Sequence, residues 1–171
     1  MAINRVHAAV IGRIRRLQQP DHSRLERDRK SRLIQALGQK VCVQDYPVLY
    51  RTSAELLADL TASLADKTLP ARLRYYARPD FLIIDEFGFD RIERTECAQA
   101  AHLLYKIIAS RNQKRSTAVV TNVDFDKWGE YLVDGPLAMA LLDRLVERAI
   151  ILKIKGKTYR TPLSKSEDNP A

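Results

Sequence analysis

Phe81-Leu82-Ile83-Ile84-Asp85-Glu86 is the stretch on which the reading of this chain turns. Four apolar residues run without a break into two adjacent carboxylates, directly after Arg78-Pro79-Asp80. A strand with one solvated face would alternate apolar and polar residues, so an unbroken run predicts a strand buried on both faces, as in parallel sheets. Asp85 and Glu86 then fall at its carboxyl end, the edge at which open α/β sheets take their ligands. Two acids there suit phosphate chemistry, one holding a hydrated Mg²⁺ and the other orienting an attacking water. A buried strand that simply ends in solvated acids reads the same way. The rest of the chain has to decide between them.

Outward from this strand, helical and extended patterns alternate. Leu33, Ile34, Leu37, Val41 and Cys42 have helical spacing within 31–43, and Pro47-Val48-Leu49-Tyr50 predicts a short strand. Thr52 and Glu55 form a capping-box pattern ahead of a helix with Leu56, Leu57, Leu60 and Leu64 inward. A loop with Pro70 leads to a short helix around Leu73. Residues 94–111 form the longest helical pattern, with Ala98, Ala101, Leu104, Tyr105 and Ile108 on one face, and Thr117 to Thr121 is the next strand. Trp128 and Tyr131 mark a short helix, Leu137 to Val146 another, and Ala149-Ile150-Ile151-Leu152 a last strand, turned at Lys155-Gly156-Lys157. The alternation predicts an α/β fold with a parallel sheet flanked by helices.

At 171 residues the chain suits one domain, and 46% hydrophobic with 29% charged residues describes a soluble globular protein. No apolar run approaches a membrane span and no secretory signal is legible, which predicts a cytoplasmic protein without a membrane partner. Cys42 and Cys97 sit in helical patterns and predict buried free thiols, and His7, His22 and His102 are too scattered for a zinc motif. The net charge of +8 is uneven: residues 1–32 carry nine Lys/Arg against Asp21, Glu26 and Asp28, leaving only +2 on the other 139 residues. Such a basic arm suits DNA or another polyanion, and equally a solvated chain end. A small-molecule hydrolase is disfavoured, because the chain has neither a Gly-x-Ser-x-Gly elbow nor a Cys–His pairing.

Two further positions are candidates. Asn122 directly follows the strand Thr117–Thr121 and, in a parallel sheet, would emerge at the same edge as Asp85; it could hold a water, or merely cap a turn. Arg144, within Leu141-Leu142-Asp143-Arg144-Leu145, carries a permanent charge whose fork matches phosphate, or pairs with a nearby acid such as Glu147.

Taken in order, Asp85-Glu86-Phe87-Gly88-Phe89, Arg115-Ser116-Thr117 with Thr121-Asn122, Trp128-Gly129-Glu130, Leu142-Asp143-Arg144-Leu145 and Gly156-Lys157-Thr158-Tyr159-Arg160 resemble the IstB-like ATP-binding proteins. These are AAA+ ATPases with a three-layer P-loop fold that assist insertion-sequence transposases and are similar to the DnaC helicase loaders. The resemblance runs from about Lys30 to Arg160. It implies Asp85 and Glu86 as Walker B, with Asp85 on the metal, Asn122 as sensor one and Arg144 as the arginine finger, ahead of Arg148. Arg160 approximates a late nucleotide-contacting arginine. Lys30 and Ser31 match the Lys-Thr pair of the phosphate loop, Lys on the β- and γ-phosphates and the hydroxyl on Mg²⁺. ATP, Mg²⁺, DNA, a transposase and a homo-oligomer are the implied ligands and partners.

The phosphate loop itself departs from the family. No glycine lies between Gly12 and Gly38, and Asp28 sits where an anion would bind. Glycines let backbone N–H groups wrap phosphates in shapes that side chains obstruct, so the cradle is expected to be absent. Val6 to Ile11 could imitate the strand that precedes the loop, although eighteen residues from Gly12 to Lys30 are too many for a tight one. The expected organisation is therefore a basic segment 1–29, rearranged or truncated relative to the family, an AAA+ domain 30–161 and a tail 162–171. The expected function is a transposition helper with impaired nucleotide binding; the rival is a non-catalytic remnant that binds DNA or protein.

Overall fold

The computed structural model describes residues 8–12, 23–88 and 99–154. Five strands, β1 (Ala8–Gly12), β2 (Val48–Thr52), β3 (Phe81–Phe87), β4 (Ser116–Thr121) and β5 (Ala149–Lys153), form one sheet in the order β2-β3-β4-β1-β5. Every pairing is parallel. The helices are α1 (Ser23–Cys42), α2 (Ser53–Ala65), α3 (Leu69–Ala77), α4 (Ala100–Arg111), α5 (Trp128–Leu132), entered through a 3-10 turn Phe125–Lys127, and α6 (Gly135–Val146). None of the described helices is long and apolar enough to cross a membrane.

Strand β3 shows why its sequence does not alternate. Leu82 and Ile84 face one core with Leu56, Leu60, Leu104, Ile107, Trp128 and Leu141, while Phe81 and Ile83 face a smaller core under Ile34 of α1. Helices cover both faces, so every position of Phe81–Asp85 is buried. Gly38 brings α1 down onto the strand: a Cβ there would stand 2.9 Å from Ile83 Cδ1. Helix α2 opens on the capping box read from the sequence, with Thr52 Oγ1 accepting from Glu55 N–H and Glu55 accepting from Thr52 N–H. Both exchanges satisfy donors that a helix start leaves orphaned.

Several expectations shift. Strand β1 is not an imitation: Ala8 pairs with Thr117 on one side and Ala149 on the other, so 8–12 lies inside the sheet. Helix α1 begins at Ser23, eight residues before the expected start at 31. Pro70 sits in the first turn of α3 rather than in a loop, where its missing N–H costs nothing. Leu33 and Leu37 are exposed, because Ile34 and Gly38 turn that helix onto the sheet instead. Cys42 is exposed, not buried, since it ends α1 where the helix leaves the sheet. Cys97, residues 94–98 of the expected helix, the turn Lys155–Lys157 and the remaining basic residues 1–7 and 13–22 lie outside the described residues.

At the amino-terminal edge of β3 and β4 a single arginine ties three elements together. Arg111, 1% exposed at the end of α4, donates from Nε to Thr117 Oγ1 (3.0 Å) and from its terminal nitrogens to the carbonyls of Tyr76, Ala77, Pro79 and Ser116. Burial pulls its guanidinium down to about 10, which still leaves it charged at any physiological pH.

Candidate functional site

The opposite, carboxyl-terminal edge gathers the polar residues. Asp85 ends the buried part of β3 and is itself only 1% exposed. Its Oδ1 accepts the N–H of Glu86 (2.8 Å) and its Oδ2 accepts the Tyr50 hydroxyl (2.6 Å). Tyr50 comes from β2, paired opposite Ile83, and its oxygen accepts in turn from Gln35 Nε2 on α1 (3.3 Å). Burial first, and then the carboxylate it donates to, push the Tyr50 phenol up to about 12. It therefore stays protonated and keeps donating at neutral pH.

Glu86 follows in a left-handed backbone conformation, φ 58°, at the point where the β3–β4 register slips between Ile84 and Phe87. A non-glycine residue there costs roughly 1–2 kcal/mol and persists only when its surroundings hold it. Here side chains hold both of its backbone groups: Asp85 accepts its N–H, and the Ser53 hydroxyl at the start of α2 donates to its carbonyl (3.2 Å). The Glu86 side chain is half-exposed, turned out of the strand. Gly88 completes the corner at φ 84°, and a Cβ on it would lie 2.3 Å from Val123 Cγ2. The Thr121 hydroxyl bridges this corner to the end of β4, donating to the Phe87 carbonyl (2.9 Å) and accepting from Val123 N–H (3.0 Å).

Asn122 emerges beside this corner, at the same edge as Asp85, as parallel pairing of β3 and β4 requires. Lys30 reaches it from α1. The Lys30 side chain is 1% exposed, and its Nζ donates to the Thr121 carbonyl (3.0 Å) and to Asn122 Oδ1 (2.7 Å). Ser31 follows on α1, half-buried. The helix around this pair begins seven residues earlier, at Ser23, so its free amino-terminal N–H groups lie roughly 10 Å before Lys30 at 1.5 Å per residue. The backbone N–H groups of 27–30 are committed within α1 and cannot wrap an anion.

The structure thus brings Asp85, Glu86, Asn122 and Lys30 to one edge and adds Tyr50, Gln35, Ser53 and Thr121, which the sequence reading did not single out. The register Thr52↔Asp85 explains Tyr50, since it places the end of β2 alongside the acids. Nothing short of that register would have found it. Arg144 stands exposed in the last turn of α6, and among the described residues no hydrogen bond joins it to this cluster. Arg148, also exposed, has φ 61° in the turn before β5. Arg160 lies outside the described residues. No group of three or more His, Cys, Asp or Glu side chains placed to hold a metal ion occurs among the described residues.

A family model described as IstB-like ATP binding protein matches residues 29–167. The ATP-binding protein of insertion sequence IS5376 from Geobacillus stearothermophilus is 32% identical over 131 residues, which cover 77% of this chain and 51% of that protein. The chain spans about half the length of the curated relatives it matches. Among solved structures, the DnaC helicase loader superposes with a TM-score of 0.62 at 15% identity, covering 86% of this chain and 77% of that one. The replication initiator DnaA bound to AMPPCP and single-stranded DNA gives 0.64 at 16% identity, covering 90% and 42%. Both likenesses concern the fold alone, a parallel α/β sheet flanked by helices.

Proposed function

The chain belongs to the family of IstB-like ATP-binding proteins, and from that premise we propose that it is an insertion-sequence helper acting on DNA with a transposase, its nucleotide binding reduced to near loss. The observation that carries the second half is the engagement of Lys30. In a phosphate loop a lysine projects from the first turn of its helix toward the phosphates. Here it lies two turns inside α1 and its ammonium is spent on Thr121 and Asn122. The residues present fit MgATP in part only. Asp85 and Glu86 supply hard oxygens suited to Mg²⁺ and an attacking water, and Ser31 a further hydroxyl. The triphosphate finds no cradle, because no backbone N–H group of 27–30 is available to it. We derive no hydrolytic step through this site. Arg144, exposed on α6, is the arginine this reading assigns to a junction with a second copy.

A melting curve tests the reading. A ligand that binds only the folded state must stabilise it. With a dissociation constant of about 1 mM or weaker, 1 mM MgATP adds no more than about 0.4 kcal/mol and roughly 1–2 °C. A rise of many degrees that vanishes in EDTA would overturn the proposal.

DNA association is the other half. We expect it to be electrostatic and tolerant of sequence, carried by the basic residues that the sequence places between β1 and α1. Because β1 is part of the sheet, the test is charge removal and not deletion: Arg13→Gln, Arg15→Gln and Arg16→Gln together. Each lost phosphate contact should flatten the dependence of log affinity on log salt by about 0.9. An unchanged slope would show that these arginines do not touch DNA.

A further inference from the structure

Asp85 is a buried carboxylate whose two oxygens are taken by an amide and a phenol, and among the described residues no lysine or arginine forms an ion pair with it. The backbone N–H of Glu86 is fixed by the corner at φ 58° and cannot leave Oδ1 without unmaking that corner. The Tyr50 hydroxyl is different: it sits on a half-buried side chain of the edge strand β2, and among the described residues its oxygen accepts only from Gln35, at 3.3 Å. Among the described residues, Tyr50 is therefore the movable cap on Asp85. We propose that Tyr50 is a positioning residue for Asp85 that competes with divalent cations, so that a cation reaches Asp85 Oδ2 only by displacing the Tyr50 hydroxyl.

The inference rests on Asp85 being the cation-binding carboxylate of the proposed site, and it adds the group that controls access to it. While the hydroxyl donates, Oδ2 offers a cation one occupied lone pair and a ring in its approach path. When the ring swings out, Gln35 and solvent take over its oxygen and the carboxylate is free. The residue so placed belongs to β2, whose next residues run into α2 through Thr52 and Ser53; Ser53 also holds the Glu86 carbonyl. A displacement of Tyr50 is thus coupled along the chain to the segment that holds Glu86.

Manganese is a suitable probe, because free Mn²⁺ is counted directly by electron paramagnetic resonance. Titrations of the wild-type chain, Tyr50→Phe, Asp85→Asn and the double variant, with melting curves to show that each is folded, separate the possibilities. Removing a hydrogen bond to a charged group should strengthen Mn²⁺ binding about tenfold in Tyr50→Phe. Asp85→Asn should cancel that gain in the double variant. A merely structural tyrosine would lower the melting temperature without tightening Mn²⁺ binding. Gln35→Leu, which leaves Tyr50 in place but loosens its oxygen, should give a smaller gain of the same sign and serves if Tyr50→Phe does not fold. Equal Mn²⁺ affinity in the wild-type chain and the folded Tyr50 or Gln35 variant overturns the role of Tyr50 alone, provided Asp85→Asn still weakens binding. Mn²⁺ binding indifferent to Asp85→Asn, or absent throughout, overturns the placement of the cation as well.

Discussion

Replacing Arg111 by alanine should remove about 5 kcal/mol or more of stability and leave the domain largely unfolded at physiological temperature. The change deletes the Arg111 donors to five oxygens: Thr117 Oγ1 and the carbonyls of Tyr76, Ala77, Pro79 and Ser116. Each buried acceptor left without a partner costs about 1–3 kcal/mol, against a total stability of about 5–15 kcal/mol for a domain. Removing the buried cation returns part of its desolvation cost, and water entering the vacated space satisfies some of the oxygens. Those two offsets keep the expected loss below the simple sum. Arg111→Lys should be nearly as damaging, because an ammonium has three donors and lacks the flat fork that spans α3, the loop before β3 and β4. Urea denaturation measures both. A loss below about 1 kcal/mol for Arg111→Ala would show that these carbonyls find other partners.

Lys30→Ala should also destabilise the chain, by about 2–4 kcal/mol, in the absence of any nucleotide. The Thr121 carbonyl and Asn122 Oδ1 lose their donor, and the buried aliphatic stem of Lys30 leaves a gap between α1 and β4. Lys30→Met keeps most of the stem and should recover part of the loss. The sign distinguishes two roles. A lysine that waits for phosphates in solvent contributes little to the empty protein, whereas a cross-link between α1 and β4 contributes throughout. A double-mutant cycle with Asn122→Ala should return a coupling of about 1 kcal/mol or more, as residues in direct contact do. An unchanged urea midpoint in Lys30→Ala would return this residue to a role toward ligands.

The residues that sequence reading placed best are those whose signal is local. The run Phe81–Ile84 announces burial on both faces, Thr52 with Glu55 announces a helix start, and Asn122 follows its strand directly. Each depends on neighbours within a few positions. What stayed hidden depends on contacts far apart in the chain. Tyr50 meets Asp85 only through the β2–β3 register, and the Arg111 fork serves carbonyls more than thirty residues away. Strand β1 was doubted because its connection to Lys30 is long. The sheet tolerates that length, since α1 starts at Ser23 and takes up part of the span. The αL backbone at Glu86 carries no residue signature at all, because it is imposed by Ser53 and the carboxylate of Asp85.

The place of β1 also governs when the fold can form. Ala8 to Gly12 are made well before their partners in β4 and β5, which lie on the order of a hundred residues or more downstream. Until β5 has emerged, β1 has one partner at most and presents its other edge to anything able to add a strand. Among the described strands β5 pairs only with β1, so it docks on a strand made long before it. Closure of the sheet is consequently a late, long-range event that nascent fragments cannot rehearse. A chain halted between β4 and β5 would carry its polar edge residues Asp85 and Asn122 already in place, on a sheet that still lacks its outer strand.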